Sequence, residues 1–187
     1  VVQNIWRMMS ERTIIPPHAI YPALYTYLIA PAVVLSSAVR VWLGAPPAYE
    51  DLSELMTLCP LTAFWPARLV TMLSWAACLW VLYVLARRLW QEPLPTLVSA
   101  AAFAAAFGPM RYSGYALPDV PMMLLMALAL LFAVRLVLGE HPLRNANWAG
   151  LAAGLAIATK YQAVAVLVPL AWAAWGCGQQ RSLLAGR

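Results

Sequence analysis

The stretch from Pro118 to Leu138, PDVPMMLLMALALLFAVRLVL, limits the fold more than any other part of this chain. Apart from Asp119 at its start and Arg135 near its end it is apolar, and about 20 such residues cross the hydrocarbon core of a bilayer as a helix. Pro118 and Pro121 suit a first helical turn, where backbone N–H groups have no intrahelical partner. A carboxylate in that turn is favoured by the positive end of the helix dipole, by about 0.3–1 kcal/mol. Asp119 therefore has two readings, which the residues alone leave open. It is a cap or first-turn acid with a structural role, or it is an ionisable site residue at a membrane boundary.

Composition agrees with a membrane setting. The chain is 64% hydrophobic and 10% charged, with a mean hydropathy of +0.73, whereas a soluble domain carries about 25% charged residues. The net charge of +5 is scattered. It reads as loop charge that sets orientation and not as a nucleic-acid surface. Cys59, Cys78 and Cys177 show no CxxC or other metal-ligand spacing, and His18 and His141 are the two imidazoles, so no metal ligand is assigned. The chain opens at Val1 without an initiator Met or a signal peptide and closes just after an apolar segment. We read it as an internal piece of a longer polytopic protein.

Taken in order, Val1 to Met9 has near-helical apolar spacing and predicts a short amphipathic helix, stopped by Pro16 and Pro17. Ile20 to Leu43 is long enough to span, yet Tyr21, Tyr25 and Tyr27 suit an interface, and Pro22 and Pro31 interrupt it. Gly44 to Pro66 reads as a polar, turn-rich loop with Glu50, Asp51 and Glu54. Further apolar runs follow at 67–89, 94–110, 118–138 and 148–175. If the middle three each cross, Arg87 and Arg88 share a side with Arg135 and Arg144, which makes that side cytoplasmic. Arg111 and Asp119 then face outward.

Lys160 interrupts the last run. Counted from Trp148, the intervening helix is about 18 Å long, which carries the ammonium past the bilayer centre. Such a charge snorkels to the outer interface, marks a break between two half-helices, or faces a polar cavity that receives an anion. The run exceeds one straight span, which favours a break. With Asp119, Arg111 and Arg68 the outer face holds one acid and several bases. That set suits a lipid phosphate, and channel or transporter chemistry nearly as well.

Four stretches carry a family resemblance through their order and spacing: PPHAIYPALYTYLIAP (16–31), ARLVTMLSWAACLWVLYVLARRL (67–89), RYSGYALPDVPMMLLMALALLF (111–132) and AGLAAGLAIATKYQAVAVLVPL (149–170). Together they resemble the amino-terminal part of the family 39-type glycosyltransferases. These include the protein O-mannosyltransferases and the bacterial aminoarabinose transferase of lipid A, within the GT-C membrane superfamily. The resemblance implies an all-α polytopic membrane helical bundle, with external juxtamembrane helices over residues 1–66 and about four transmembrane helices over residues 67–187. It implies an enzyme of the plasma membrane, or of the inner membrane in a bacterium, with its active face outside. A sugar would pass from a polyprenyl-phosphate-linked donor to a protein, lipid or glycan acceptor. On this resemblance Ile20 to Leu43 lies along the membrane surface.

By residue, Asp119 matches the acid opening the fourth transmembrane helix, and Arg68 the base opening the second. Lys160 and Tyr161 fall in the Thr-Lys motif, here Thr159-Lys160-Tyr161. Arg68, Arg111 and Lys160 would hold the donor phosphate; Asp119 would orient substrate or help bind a divalent metal, if one is used. Tyr21, in the Tyr-Pro segment, and His18 are further substrate contacts, although a turn histidine at an interface is more often inert. One departure stands out. The family's Asp-Glu pair belongs upstream of the Tyr-Pro segment, and here Glu11 stands alone. The expectation is therefore that the pair and the first transmembrane helix precede Val1, that later helices follow Arg187, and that this piece is inactive alone. The competing class is a non-catalytic transporter or structural membrane subunit. Transporters usually carry internal repeats, and none is visible here.

Overall fold

The computed structural model describes residues 2–16, 23–44, 60–106 and 115–185, and among these it is helical without strands. The helices are α1 (Val2–Ser10), α2 (Leu24–Trp42), α3 (Pro60–Trp90), α4 (Pro93–Ala105), α5 (Asp119–Val137), α6 (Pro142–Thr159), a 3-10 helix (Tyr161–Val166) and α7 (Leu167–Ala185). Three of them, α2, α3 from Phe64 onward and α5, are long and apolar enough to cross a membrane. The fold is an all-α membrane bundle.

The amphipathic helix expected at the amino terminus forms as α1, and its apolar spacing buries Ile5. Ile5 meets Tyr25, Ile29 and Val33, which lie four residues apart on one stripe of α2, and all four close on Ala67 of α3. The Tyr27 hydroxyl lies on the other side of α2 and donates to the Ile14 carbonyl at 3.0 Å, tying the turn after α1 to α2. Tyr25 and Tyr27, both expected at an interface, thus part ways: one enters the core and the other holds a turn.

The expected loop 44–66 is shorter at its end than the sequence suggests, because α3 begins at Pro60 and includes Pro66. Proline is acceptable at a helix start, and an interior proline removes one backbone hydrogen bond without stopping a helix held by tertiary packing. Residues 45–59 lie outside the described residues. After Trp90 the chain turns through Gln91, at φ 58, and restarts with Pro93 at the head of α4. Helix α4 packs on α3 through Phe103, whose ring lies 5.2 Å from that of Trp75, and through the cluster around Cys78 and Val81. The apolar run expected to 110 is helical as far as Ala105, and Ala106 is extended. Residues 107–110 lie outside the described residues.

The α5–α6 hairpin is the centre of the bundle. Gly139, at φ 78, terminates α5 in a Schellman turn: its N–H donates to the Leu136 carbonyl at 3.0 Å, and the Glu140 N–H to the Arg135 carbonyl at 3.0 Å. His141 follows in the left-handed region, and Pro142 starts α6 at once. Along the hairpin Ala129 faces Ala152 and Ala153, small residues that let the two backbones approach closely.

The start of α6 lies earlier than the sequence suggests. Helix α6 begins at Pro142, not Trp148, so its 18 residues rise about 27 Å, close to a full membrane thickness. Its end lies at one end of the bundle, beside the start of α5. The chain then reverses. Val166 and Leu170 return to the level of Ala129, and the Cys177 thiol reaches the Leu136 carbonyl at 3.4 Å, near the far end of α5. The run 148–175, read as one interrupted span, is the second half of a hairpin followed by a returning segment.

Charges collect at the two ends of the bundle. Arg88 pairs with Glu140, and Arg135 Nε lies 3.9 Å from the same carboxylate. The ends of α3 and α5 thus lie on one side, as the charge pattern predicts, and Asp119 and Lys160 lie on the other.

Candidate functional site

Lys160 occupies the position where α6 stops. Its backbone is extended (φ −156, ψ 123) while its N–H still donates to the Ala156 carbonyl at 3.0 Å. The preceding Thr159 is buried and turns its hydroxyl back to the Leu155 carbonyl at 2.9 Å. The extended backbone at 160 releases the lysine side chain from the helix surface towards α5. There Lys160 Nζ donates to Asp119 Oδ1 at 2.6 Å, in a pair whose side chains are 12% and 27% exposed.

Three electrostatic effects reinforce one another in this pair. Asp119 is the first residue of α5 and lies at the positive end of that helix dipole. Lys160 lies at the carboxy-terminal, negative end of α6. The third effect is their mutual attraction, strengthened by partial exclusion of water. The N-cap of α5 is Pro118, which has no side-chain oxygen to offer the first turn. Asp119 is a first-turn acid, and its carboxylate is committed to the lysine.

Beside the pair, α2 contributes Tyr25, which is 1% exposed. Its hydroxyl neighbours Thr71 on α3 and lies within electrostatic reach of Asp119. The Thr71 hydroxyl, however, donates to the Ala67 carbonyl at 3.0 Å, and no hydrogen bond of good geometry joins Tyr25 Oη to a partner among the described residues. A buried hydroxyl without a partner costs about 1–3 kcal/mol, so its place next to an ion pair is noteworthy.

The expected site residues separate into three groups. Asp119 and Lys160, 41 positions apart in sequence, are brought into contact. Arg68 lies at the same end of the bundle, one residue from buried Ala67, and makes no ion pair with Asp119 among the described residues. Tyr161 heads the 3-10 helix and is 60% exposed, facing away from the core. Arg111, His18 and Tyr21 lie outside the described residues. No group of three or more His, Cys, Asp and Glu side chains that could hold a metal occurs among the described residues. Tyr25 and Thr71 were not singled out as site residues. The signal for Tyr25 was its four-residue spacing to Ile29 and Val33, which marks a buried stripe.

Chemically, the pair sets an ammonium and a carboxylate in contact at one end of the bundle. Lys–phosphate contacts are charge-assisted and strong where water is scarce. No curated protein and no solved structure matches the chain. A family model described as dolichyl-phosphate-mannose-protein mannosyltransferase matches residues 44–185, which contain Arg68, Arg111, Asp119, Lys160 and Tyr161. The chain belongs to that family, a group of membrane glycosyltransferases of the GT-C type.

Proposed function

We propose that this chain forms part of an integral-membrane glycosyltransferase that uses a polyprenyl-phosphate-linked sugar, with the Asp119–Lys160 pair as the core of its donor site. The observation that carries the reading is that pair: two charges from the ends of separate helices, both inside the family-matched region, held together beside buried Tyr25. Lys160, with Arg68 and Arg111, holds the donor phosphate and stabilises the charge that grows on it as the glycosidic bond breaks. Asp119 keeps the ammonium in place in the empty site and turns to donor or acceptor when phosphate displaces it. A general base takes the acceptor hydroxyl proton. The active face is external, because the opposite end of the bundle carries Arg87, Arg88, Arg135 and Arg144. His18, Tyr21 and Tyr161 are proposed as substrate contacts at the rim, and a protein, lipid or glycan supplies the acceptor.

The test is donor binding and sugar transfer by the intact enzyme in its membrane, with polyprenyl-phosphate mannose as probe. Lys160→Met is expected to weaken donor binding at least tenfold, and Lys160→Arg to retain most of it. Unchanged donor affinity in Lys160→Met, with normal insertion, would remove Lys160 from the site. Absence of any transfer by the intact wild type across lipid-linked sugars would favour the transporter or structural-subunit class.

A further inference from the structure

The opposite end of the bundle carries a second feature, which the glycosyl-transfer reading does not use. Four arginines, Arg87, Arg88, Arg135 and Arg144, meet two carboxylates there among the described residues, Glu92 and Glu140. Glu140 is already engaged by Arg88 and approached by Arg135. Arg144, exposed in the first turn of α6, has no carboxylate partner among the described residues.

Arg144 opens a groove of about 410 Å³ that continues along one face of α6 over Asn147, Trp148 and Leu151. These residues follow the three- and four-residue spacing of a single helical stripe, and their order runs from cationic through polar to apolar. The floor is firm: the Trp148 ring stacks on Phe132 of α5 at 6.2 Å, and the Arg135 guanidinium lies 5.8 Å from the Phe132 centroid on the same aromatic unit. A guanidinium at a helix end, a tryptophan at headgroup depth and a leucine further in repeat the polarity order of a phospholipid read from phosphate to acyl chain.

We infer that this groove binds an anionic phospholipid of the surrounding leaflet, with its headgroup phosphate on Arg144 and the top of one acyl chain against Trp148 and Leu151. Charge complementarity selects the occupant. Arg binds phosphate oxygens through two parallel N–H donors, and the surplus of arginine over carboxylate at this end disfavours a cationic or zwitterionic headgroup. A free phosphate ion would meet Arg144 and leave the apolar half of the stripe, Trp148 and Leu151, uncovered. A second cleft, about 280 Å³ between α3 and α4, is lined by Leu82, Leu85, Ala86, Leu89, Trp90 and Phe103 with one hydroxyl, Ser99. It lacks a cation for a headgroup.

The experiment is photo-crosslinking of the intact membrane protein in phosphatidylcholine nanodiscs. These are doped with phosphatidylglycerol that carries a diazirine near the top of one acyl chain, and adducts are mapped by peptide mass spectrometry. Adducts are expected within residues 144–151, several-fold above those from phosphatidylcholine with the same diazirine. Arg144→Gln should lower the yield there about fivefold, the equivalent of one basic residue near an anionic surface, while Arg144→Lys stays within about twofold. Millimolar inorganic phosphate should not compete. Equal labelling by the two lipids, or an unchanged yield in Arg144→Gln, would overturn the inference. Full competition by inorganic phosphate would overturn it as well, in favour of a free-anion site. Should Arg144→Gln fail to insert, the comparison of the two lipids on the wild type decides by itself.

Discussion

Lys160 closes α6 and Asp119 opens α5, and their side chains meet at 2.6 Å, so one ion pair fastens the open end of the central hairpin. The Schellman turn at Gly139 fastens the other end. Local backbone rules place each residue at a helix terminus, and tertiary packing makes the termini coincide.

The pair should contribute measurably to stability. Hydrogen bonds to charged groups are worth about 1.5–3 kcal/mol, and replacing either partner removes this one. Lys160→Met and Asp119→Asn are each expected to lower unfolding stability in detergent by that order. The double variant should lose less than the sum, and strict additivity in the cycle would show that the two side chains do not interact.

Tyr25→Phe is expected to act in the opposite direction. The change removes a buried hydroxyl that has no well-formed partner among the described residues and keeps the ring that fills the space beside Ile5, Ile29 and Ala67. Stability should hold or rise by about 1 kcal/mol, a shift of roughly 2–4 °C in Tm for a chain of this size. A fall in Tm of several degrees would mean that the hydroxyl is bonded. Sugar transfer that falls while Tm rises would place the hydroxyl on the substrate.

Gly139→Ala should destabilise the hairpin. The residue has φ 78, and an added Cβ would meet nothing within 4 Å, so the cost is purely that of the left-handed backbone, about 1 kcal/mol. Gly139→Asn should cost less, because asparagine tolerates that region better than alanine. Equal losses in the two variants would argue that space, not backbone, sets the requirement.

The expectation that α2 lies along the external surface can be checked by labelling. In a cysteine-free background, Ala23→Cys and Leu43→Cys, at the two ends of α2, should both react with a membrane-impermeant maleimide from outside intact cells. Labelling from opposite sides would make α2 a transmembrane span, which its length and composition also permit.

The bundle was legible in the sequence wherever apolar length and charge asymmetry determine it. Helix α5 starts at the acid that heads the apolar run, α1 follows its own periodicity, and Arg88 and Arg135 share a side as counting the crossings requires. Less legible was the start of α6. Glu140, His141, Arg144, Asn145 and Asn147 look like a loop, yet the Asn145 side chain donates to the Glu140 carbonyl and Glu140 itself is held by Arg88. Their polarity is thereby accommodated at a helix start. With residues 142–147 in the helix, Lys160 closes an 18-residue helix at one end of the bundle. In the site, the acid and the lysine were both visible as charges out of context. Their contact was not, because it depends on a hairpin register that small alanine faces set without any distinctive motif. Tyr25 was hidden for a related reason, since a tyrosine near a membrane surface looks interfacial until its helix is seen to turn it inward.

The polar beginning of α6 also bears on how the chain enters the bilayer. Helix α6 is not among the helices apolar enough to cross unaided, and its first two turns carry an arginine and two asparagines. Helix α5, the adjoining partner, is the apolar member of the hairpin. The two helices are therefore expected to insert as one unit, and a substitution that impairs insertion of α5 should impair α6 with it.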